Sequence, residues 1–211
     1  MELKRCLTSF GFDWSSKWFS VSSPLMAHYA DKIGCDFFVP EKEYFTDWIN
    51  EHPQFSWGSH HKTCWLKIPL LSSLLDEYDE VVWLDADVVV VGEDNVFDDM
   101  PSEPMGIAVH EWSPGEIPNT GVWAVRKPAK EVLDSIMDIN LPYLNLPESD
   151  LWDELPYKYN AVFHDRRGIV PESVFVHACR MDPNMTFGAI VGSGVWTVEQ
   201  FVEMEDEVEA R

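Results

Sequence analysis

Two aspartates one residue apart, Asp85-Ala86-Asp87, stand between the apolar runs Val81-Val82-Trp83-Leu84 and Val88-Val89-Val90-Val91. In an extended chain residues i and i+2 point to the same side, so both carboxylates face one way and can share a cation. Chance would supply roughly 1.5 Asp-x-Asp pairs from the 18 Asp of this chain, so the spacing alone decides little. The setting decides more. Two charges flanked by buried strand residues are costly to desolvate unless paired or metal-bound, whereas the same pair in a surface turn is merely solvated. A hard divalent ion such as Mn²⁺ or Mg²⁺, held by oxygen ligands and open to substrate, is the expected occupant.

The elements that must position the pair can be read on either side of it. Leu3 to Thr8 reads as a first strand, Ser9 to Ser20 as a loop, and Val21 to Ile33 as a helix stopped by Gly34. Cys35 to Val39, ended by Pro40, repeats the strand, a β-α-β start to an α/β sheet. Cys64, Ile68, Leu71, Leu75 and Tyr78 mark one face of a helix that begins or kinks at Pro69. Glu80 to Leu84 is then a buried strand delivering Asp85 at its carboxyl end, where open α/β sheets bind ligands. Val88 to Val91, Ile107 to Val109, Gly121 to Val125 and Ser173 to His177 read as further strands, and Ala129 to Ile139 and Thr197 to Arg211 as helices.

The chain carries 15 Lys and Arg against 37 Asp and Glu, a formal charge of −22, which repels nucleic acid polymers and anionic membranes. A nucleotide diphosphate would need a local cation. Cys6, Cys35, Cys64 and Cys179 are widely spaced and read as reduced and mostly buried. The 211 residues suit one domain, 1–211, standing alone or as the N-terminal part of a longer chain. No run approaches the ~18 apolar residues of a membrane span, and the N-terminus lacks a secretory apolar core; a soluble protein of the cytoplasm is expected.

Four blocks, in order, resemble the GT-A glycosyltransferases, in particular the family-8-like retaining enzymes and their viral relatives. They are WLKIPLLSSLLDEYDEVVWLDADVVVV from Trp65, NTGVWAVRK from Asn119, ELPYKYN from Glu154, and FVHA from Phe175. The resemblance implies a Rossmann-like α/β fold, a mixed sheet flanked by helices. It also implies transfer of a hexosyl or deoxyhexosyl group from a UDP-sugar to a glycan or glycoprotein acceptor, with retention and with Mn²⁺ or Mg²⁺. If the chain is viral, the compartment would be the host cytoplasm.

Roles follow residue by residue. Asp85 and Asp87 would hold the metal, with His177 as third ligand and Ala86 between them in the donor site. Lys67 would supply a point charge near the donor, although a solvated Lys at a helix start looks the same. Asn119, Thr120 and Gly121 would lie under the donor sugar, where an amide both donates and accepts and a glycine admits close approach. Thr8, Ser9 and Phe10 would meet the uracil and ribose. Asp150, with Asp153 and Glu154 behind it, falls near the family's acidic cluster, so Asp150, Asp153 and Asn119 are the candidate catalytic residues.

The family's Asp-Gln-Asp is Glu148-Ser149-Asp150 here, and Cys179-Arg180-Met181 stands where a Gly and a Lys-Pro-Trp usually follow the histidine, leaving Arg180 as a candidate diphosphate contact. His60-His61 with Trp57, Trp65 and Trp112 could form an acceptor platform or simply be core and rim. Asp165-Arg166-Arg167-Gly168 is either a loop near the phosphates or a surface salt-bridge cluster. Two other function classes share parts of this pattern: a haloacid-dehalogenase-type phosphatase, which also uses Asp-x-Asp after an apolar strand, and a non-catalytic sugar-binding domain.

Overall fold

The computed structural model describes residues 3–12, 15–51, 64–112, 115–138, 151–162, 165–178 and 183–195. The expectations for His60, His61, Trp57, Asp150, Arg180 and the tail from Thr197 lie outside them. Among the described residues eight strands form: β1 (Arg5–Thr8), β2 (Asp36–Phe38), β3 (Glu80–Leu84), β4 (Val88–Val90), β5 (Met105–Trp112), β6 (Gly115–Arg126), β7 (Trp152–Glu154) and β8 (Phe175–His177). Six of them make a mixed sheet in the order β2-β1-β3-β6-β5-β7, and β4 pairs with β8 in a second, two-stranded sheet. β1 runs parallel to β2 and β3, β6 antiparallel to β3 and β5, and β7 parallel to β5.

β1, β3 and β6 carry unbroken apolar runs at Cys6-Leu7, Val81–Leu84 and Val122–Val125, where both faces are covered, as expected of strands buried on two sides. Alternation sorts their side chains. Cys6, Val81, Trp83, Trp123 and Val125 join one core with Phe45, Ile68, Leu71 and Leu133; Leu7, Val82, Leu84, Val122 and Ala124 join the other with Met26, Tyr29 and Phe175. The first core is roofed by α2 (Thr46–Glu51), α3 (Lys67–Leu74) and α4 (Lys130–Asp138); the second is closed by α1 (Ser16–Ile33) and by β4 and β8. A further helix, α5 (Pro183–Gly192), contributes Ile190 to a small cluster with Trp18, Val89 and Val176.

Three expectations change in detail. The helix α1 starts at Ser16, inside the stretch read as a loop, because Trp18, Ser22, Met26 and Tyr29 continue one buried stripe through the serines. Gly34 ends it in the left-handed conformation, φ 70°, and its N–H reaches the carbonyls of Ala30 and Asp31. Pro69 is the third residue of α3, where a backbone N–H would have no intrahelical partner, so the helix runs on undisturbed. The strands at 107–109 and 121–125 are the middles of two longer ones.

β5 and β6 form an antiparallel hairpin with a break in register. Ile107 pairs with Trp123, but the next residue, Ala108, pairs with Asn119, so Thr120, Gly121 and Val122 of β6 are unpaired with β5 and form a bulge. The bulge lies beside the carboxyl end of β3, where Leu84 pairs with Val122 and the Asp85 N–H donates to the Gly121 carbonyl at 2.7 Å.

Candidate active site

β3 ends at Leu84 and β4 begins at Val88, so Asp85-Ala86-Asp87 is the corner at which the chain leaves the large sheet for the small one. The corner is fixed by backbone hydrogen bonds. Val88 N donates to Asp85 O at 2.9 Å, Ala178 N to Asp87 O at 2.9 Å, and the buried Ser22 hydroxyl of α1 to Ala86 O at 2.6 Å. β8 pairs antiparallel with β4 and sets His177 opposite Val88. The imidazole therefore comes to the two carboxylates from another part of the chain: Nε2 lies 3.3 Å from Asp87 Oδ1 and 3.8 Å from Asp85 Oδ2.

Asp85 divides its two oxygens. Oδ1 accepts from Lys67 Nζ at 3.0 Å and from the Trp83 indole N–H at 2.6 Å, while Oδ2 is the oxygen on the side of His177. The Lys67 side chain is 5 % exposed, and its ammonium also donates to the Thr120 carbonyl at 2.8 Å and sits 5.5 Å over the Trp83 ring. A buried ammonium needs such partners, because an isolated charge in the interior is strongly disfavoured. The geometry thus places Lys67 inside the site and excludes the solvated alternative.

One ligand atom each from Asp85, Asp87 and His177 lie within 4.8 Å of one another. Two carboxylate oxygens and an imidazole nitrogen at that spacing suit Mn²⁺, and also Mg²⁺, with further positions left to substrate oxygens. Gly121 is what allows the third ligand in. A Cβ there would stand 2.2 Å from both Cε1 and Nδ1 of His177 and 2.9 Å from Asn119 Oδ1. Asn119 Oδ1 accepts from the Gly121 N–H at 2.8 Å, and the bulge thereby hands its backbone groups to Lys67, Asp85 and Asn119.

The remaining sequence candidates fall in different places. Thr8, Ser9 and Phe10 follow β1 to the same edge of the sheet and are buried. The Thr8 hydroxyl ties β1 to β2 through the Phe38 carbonyl at 2.9 Å, and the Phe10 ring packs 4.9 Å from Trp83 and 5.1 Å from Phe45. Ser9 Oγ is buried with no hydrogen-bond partner among the described residues.

Asp153 is exposed on the edge strand β7, opposite Gly106. It is three strands from β3, about 14 Å at ~4.8 Å per strand, and level with Val82 rather than Asp85. The structure does not bring it to the triad. Arg167 lies over the Tyr157 ring at 3.7 Å and pairs with Asp165, Glu111 and Glu154, which makes it a salt-bridge cluster at the outer end of β5. Trp65 packs half-buried against the first core.

Asn160 carried no role in the sequence beyond its place in one resembling block. It is fully buried, its Oδ1 lies 3.1 Å from His177 Nδ1, and its Nδ2 donates to Asn119 Oδ1 at 3.1 Å and Asn119 O at 3.2 Å. Its carbonyl accepts from the buried His110 Nε2 at 2.9 Å, and burial pushes the His110 imidazole down to about 4.

The mixed six-stranded sheet with its flanking helices is that of the GT-A fold, as solved structures show. The chain is similar to the crystal structure of a glycosyltransferase involved in the glycosylation of the major capsid of PBCV-1, with a TM-score of 0.65 and 17% identity over 92% of this chain and 100% of that one. It is similar as well to the galactosyltransferase LgtC in complex with donor and acceptor sugar analogues, with a TM-score of 0.59 and 14% identity over 94% of each chain. Mouse xyloside xylosyltransferase 1 matches with a TM-score of 0.51 and 12% identity over 84% of this chain and 98% of that one. At these identities the likeness establishes the fold. No protein-family model matches the chain, and no curated protein matches it in sequence.

Proposed function

We propose that this protein is a metal-dependent glycosyltransferase that moves a hexosyl or deoxyhexosyl group from a UDP-sugar to a glycan or glycoprotein acceptor, with retention at the anomeric carbon. The observation that carries the reading is the convergence of Asp85, Asp87 and His177 at the carboxyl edge of the sheet, with the buried Lys67 beside them. Asp85, Asp87 and His177 would hold a divalent ion, whose positive charge would stabilise the departing diphosphate. Lys67 orients the Asp85 carboxylate through Oδ1 and turns Oδ2 toward the triad. Asn119, held by the bulge, would meet the donor sugar, and Thr8, Ser9 and Phe10 at the end of β1 would meet the nucleoside. Asp150 and Arg180 retain their proposed parts beside the reacting sugar and the diphosphate.

Among the described residues no helix is long and apolar enough to cross a membrane. A cytoplasmic site of action, in a host cell if the chain is viral, belongs to the proposal.

Thermal unfolding measured with UDP- and GDP-sugars, with and without Mn²⁺, tests the reading. A ligand at 100 times its Kd stabilises by about 2.7 kcal/mol. The wild type is expected to show such a shift with a UDP-sugar plus Mn²⁺, and Asp87→Ala to lose it. Equal shifts in both proteins, or release of phosphate from sugar phosphates without any response to UDP, would sink it.

A further inference from the structure

The roles in the hydrogen-bond chain behind His177 cannot be exchanged. It starts at a backbone donor, the Gly121 N–H, which makes the Asn119 atom that it reaches at 2.8 Å an oxygen. That oxygen and the Asn119 carbonyl are both acceptors, so the Asn160 atom facing them, at 3.1 and 3.2 Å, must be the amide nitrogen. Asn160 then turns its oxygen to His177, and at 3.1 Å the imidazole Nδ1 must carry the hydrogen. In the neutral ring this leaves the lone pair on Nε2, the nitrogen that faces Asp85 and Asp87.

We infer that Asn160 is a positioning residue that fixes the tautomer and orientation of His177 and locks it to the Asn119 bulge. Three features set it apart from a core asparagine satisfied by chance. The side chain is fully buried, so water does not compete for its amide. Its backbone is held on both sides, by the Tyr157 carbonyl that accepts from its N–H, by His110 at its own carbonyl, and by Ala161, whose N–H donates to Phe175 O and whose carbonyl accepts from His177 N. The amide joins the histidine to Asn119, so an error in one is passed to the other. An outer partner on the second ring nitrogen is the usual means by which a histidine is prepared to bind a metal. The consequence for metal affinity rests on the glycosyltransferase reading; the tautomer does not.

The test is long-range ¹H–¹⁵N NMR on protein labelled at histidine, metal-free, at about pH 8.5, well above the ordinary imidazole range. Loss of a signal in His177→Gln assigns the ring. The wild type is expected to show the Nδ1–H tautomer, and Asn160→Asp to keep it, since a carboxylate still accepts from Nδ1. Asn160→Ala is expected to shift the ring toward Nε2–H and weaken Mn²⁺ binding roughly 10- to 100-fold. An Nε2–H ring in the wild type overturns the inference with no variant needed. So does a folded Asn160→Ala that keeps Nδ1–H and binds Mn²⁺ within twofold of wild type. A wild type that binds no Mn²⁺ removes the functional reading, and the tautomer still decides the role of Asn160.

Discussion

At the scale of single residues, the site is built by subtraction as much as by addition. His177 enters because Gly121 has no side chain, and the ring occupies the space a Cβ would need. Gly121→Ala must push the imidazole away from Asp85 and Asp87. Overpacking of this kind costs about 1 to 3 kcal/mol; the expected signature is a moderate loss in urea unfolding together with a loss of Mn²⁺ affinity of at least tenfold. A variant that binds Mn²⁺ like the wild type would show that the ring has room elsewhere. The Asp pair, the histidine, the lysine and the glycine were each legible in the sequence as types at positions. Asn160 was not, since its part depends on three residues brought together from β6, β8 and the segment before β8, a coincidence that no local pattern records. Asp153 shows the converse: it is close in sequence to Asp150 and Glu154, yet its place on an edge strand takes it away from the triad.

At the scale of elements, β1, β3 and β6 are tied together by Glu80, whose buried carboxylate accepts from Arg5 Nε and Arg126 Nε, each at 2.9 Å. The two arginines reach it from the flanking strands at the end opposite Asp85, where Lys127 also pairs with Asp79 at 2.8 Å. Glu80→Ala leaves two half-buried guanidinium groups without their shared acceptor. Both keep some access to water, so the expected cost is about 2 kcal/mol in chemical unfolding rather than the full penalty of a broken interior pair. A change under 0.5 kcal/mol, on the order of an ordinary surface substitution, would show that the cluster is ornamental. The central strands were readable here because their buried stretches are apolar runs, whereas β7, a short edge strand with exposed Asp153 and Glu154, was not read. The bulge at Thr120–Val122 was not, because Pro118 and Asn119 interrupt the apolar alternation of β6 and a register shift depends on the partner strand. The start of α1 was hidden by Ser16 and Ser20, exposed serines that read as loop, while its buried stripe begins with Trp18 alone.

At the scale of the whole molecule, pH acts through a buried base as well as through the large negative charge. His110 in the unfolded chain takes up a proton below about 6.5, whereas burial holds the folded ring neutral down to about 4. Between those values the unfolded state binds more protons, so stability rises with pH and is lost as pH falls from 6.5 toward 4. The loss is at most about 3 kcal/mol. In metal-free protein, unfolding free energies at pH 5 and pH 7 should differ more for the wild type than for His110→Gln, and parallel pH profiles would rule His110 out as the cause. With a formal charge of −22, part of any fall at low pH is offset by relief of self-repulsion, which is why the comparison with the variant matters.

The two sheets meet at a corner three residues long. Asp85 follows the end of β3 in the large sheet, while Asp87 precedes the first pair of the small one and His177 belongs to it. The triangle of ligand atoms is therefore a gauge of how one sheet is seated on the other. A slide of β4 and β8 by a fraction of an ångström would open it without disturbing the ladder of either sheet, so anything that clasps all three atoms also reads, and resists, that slide.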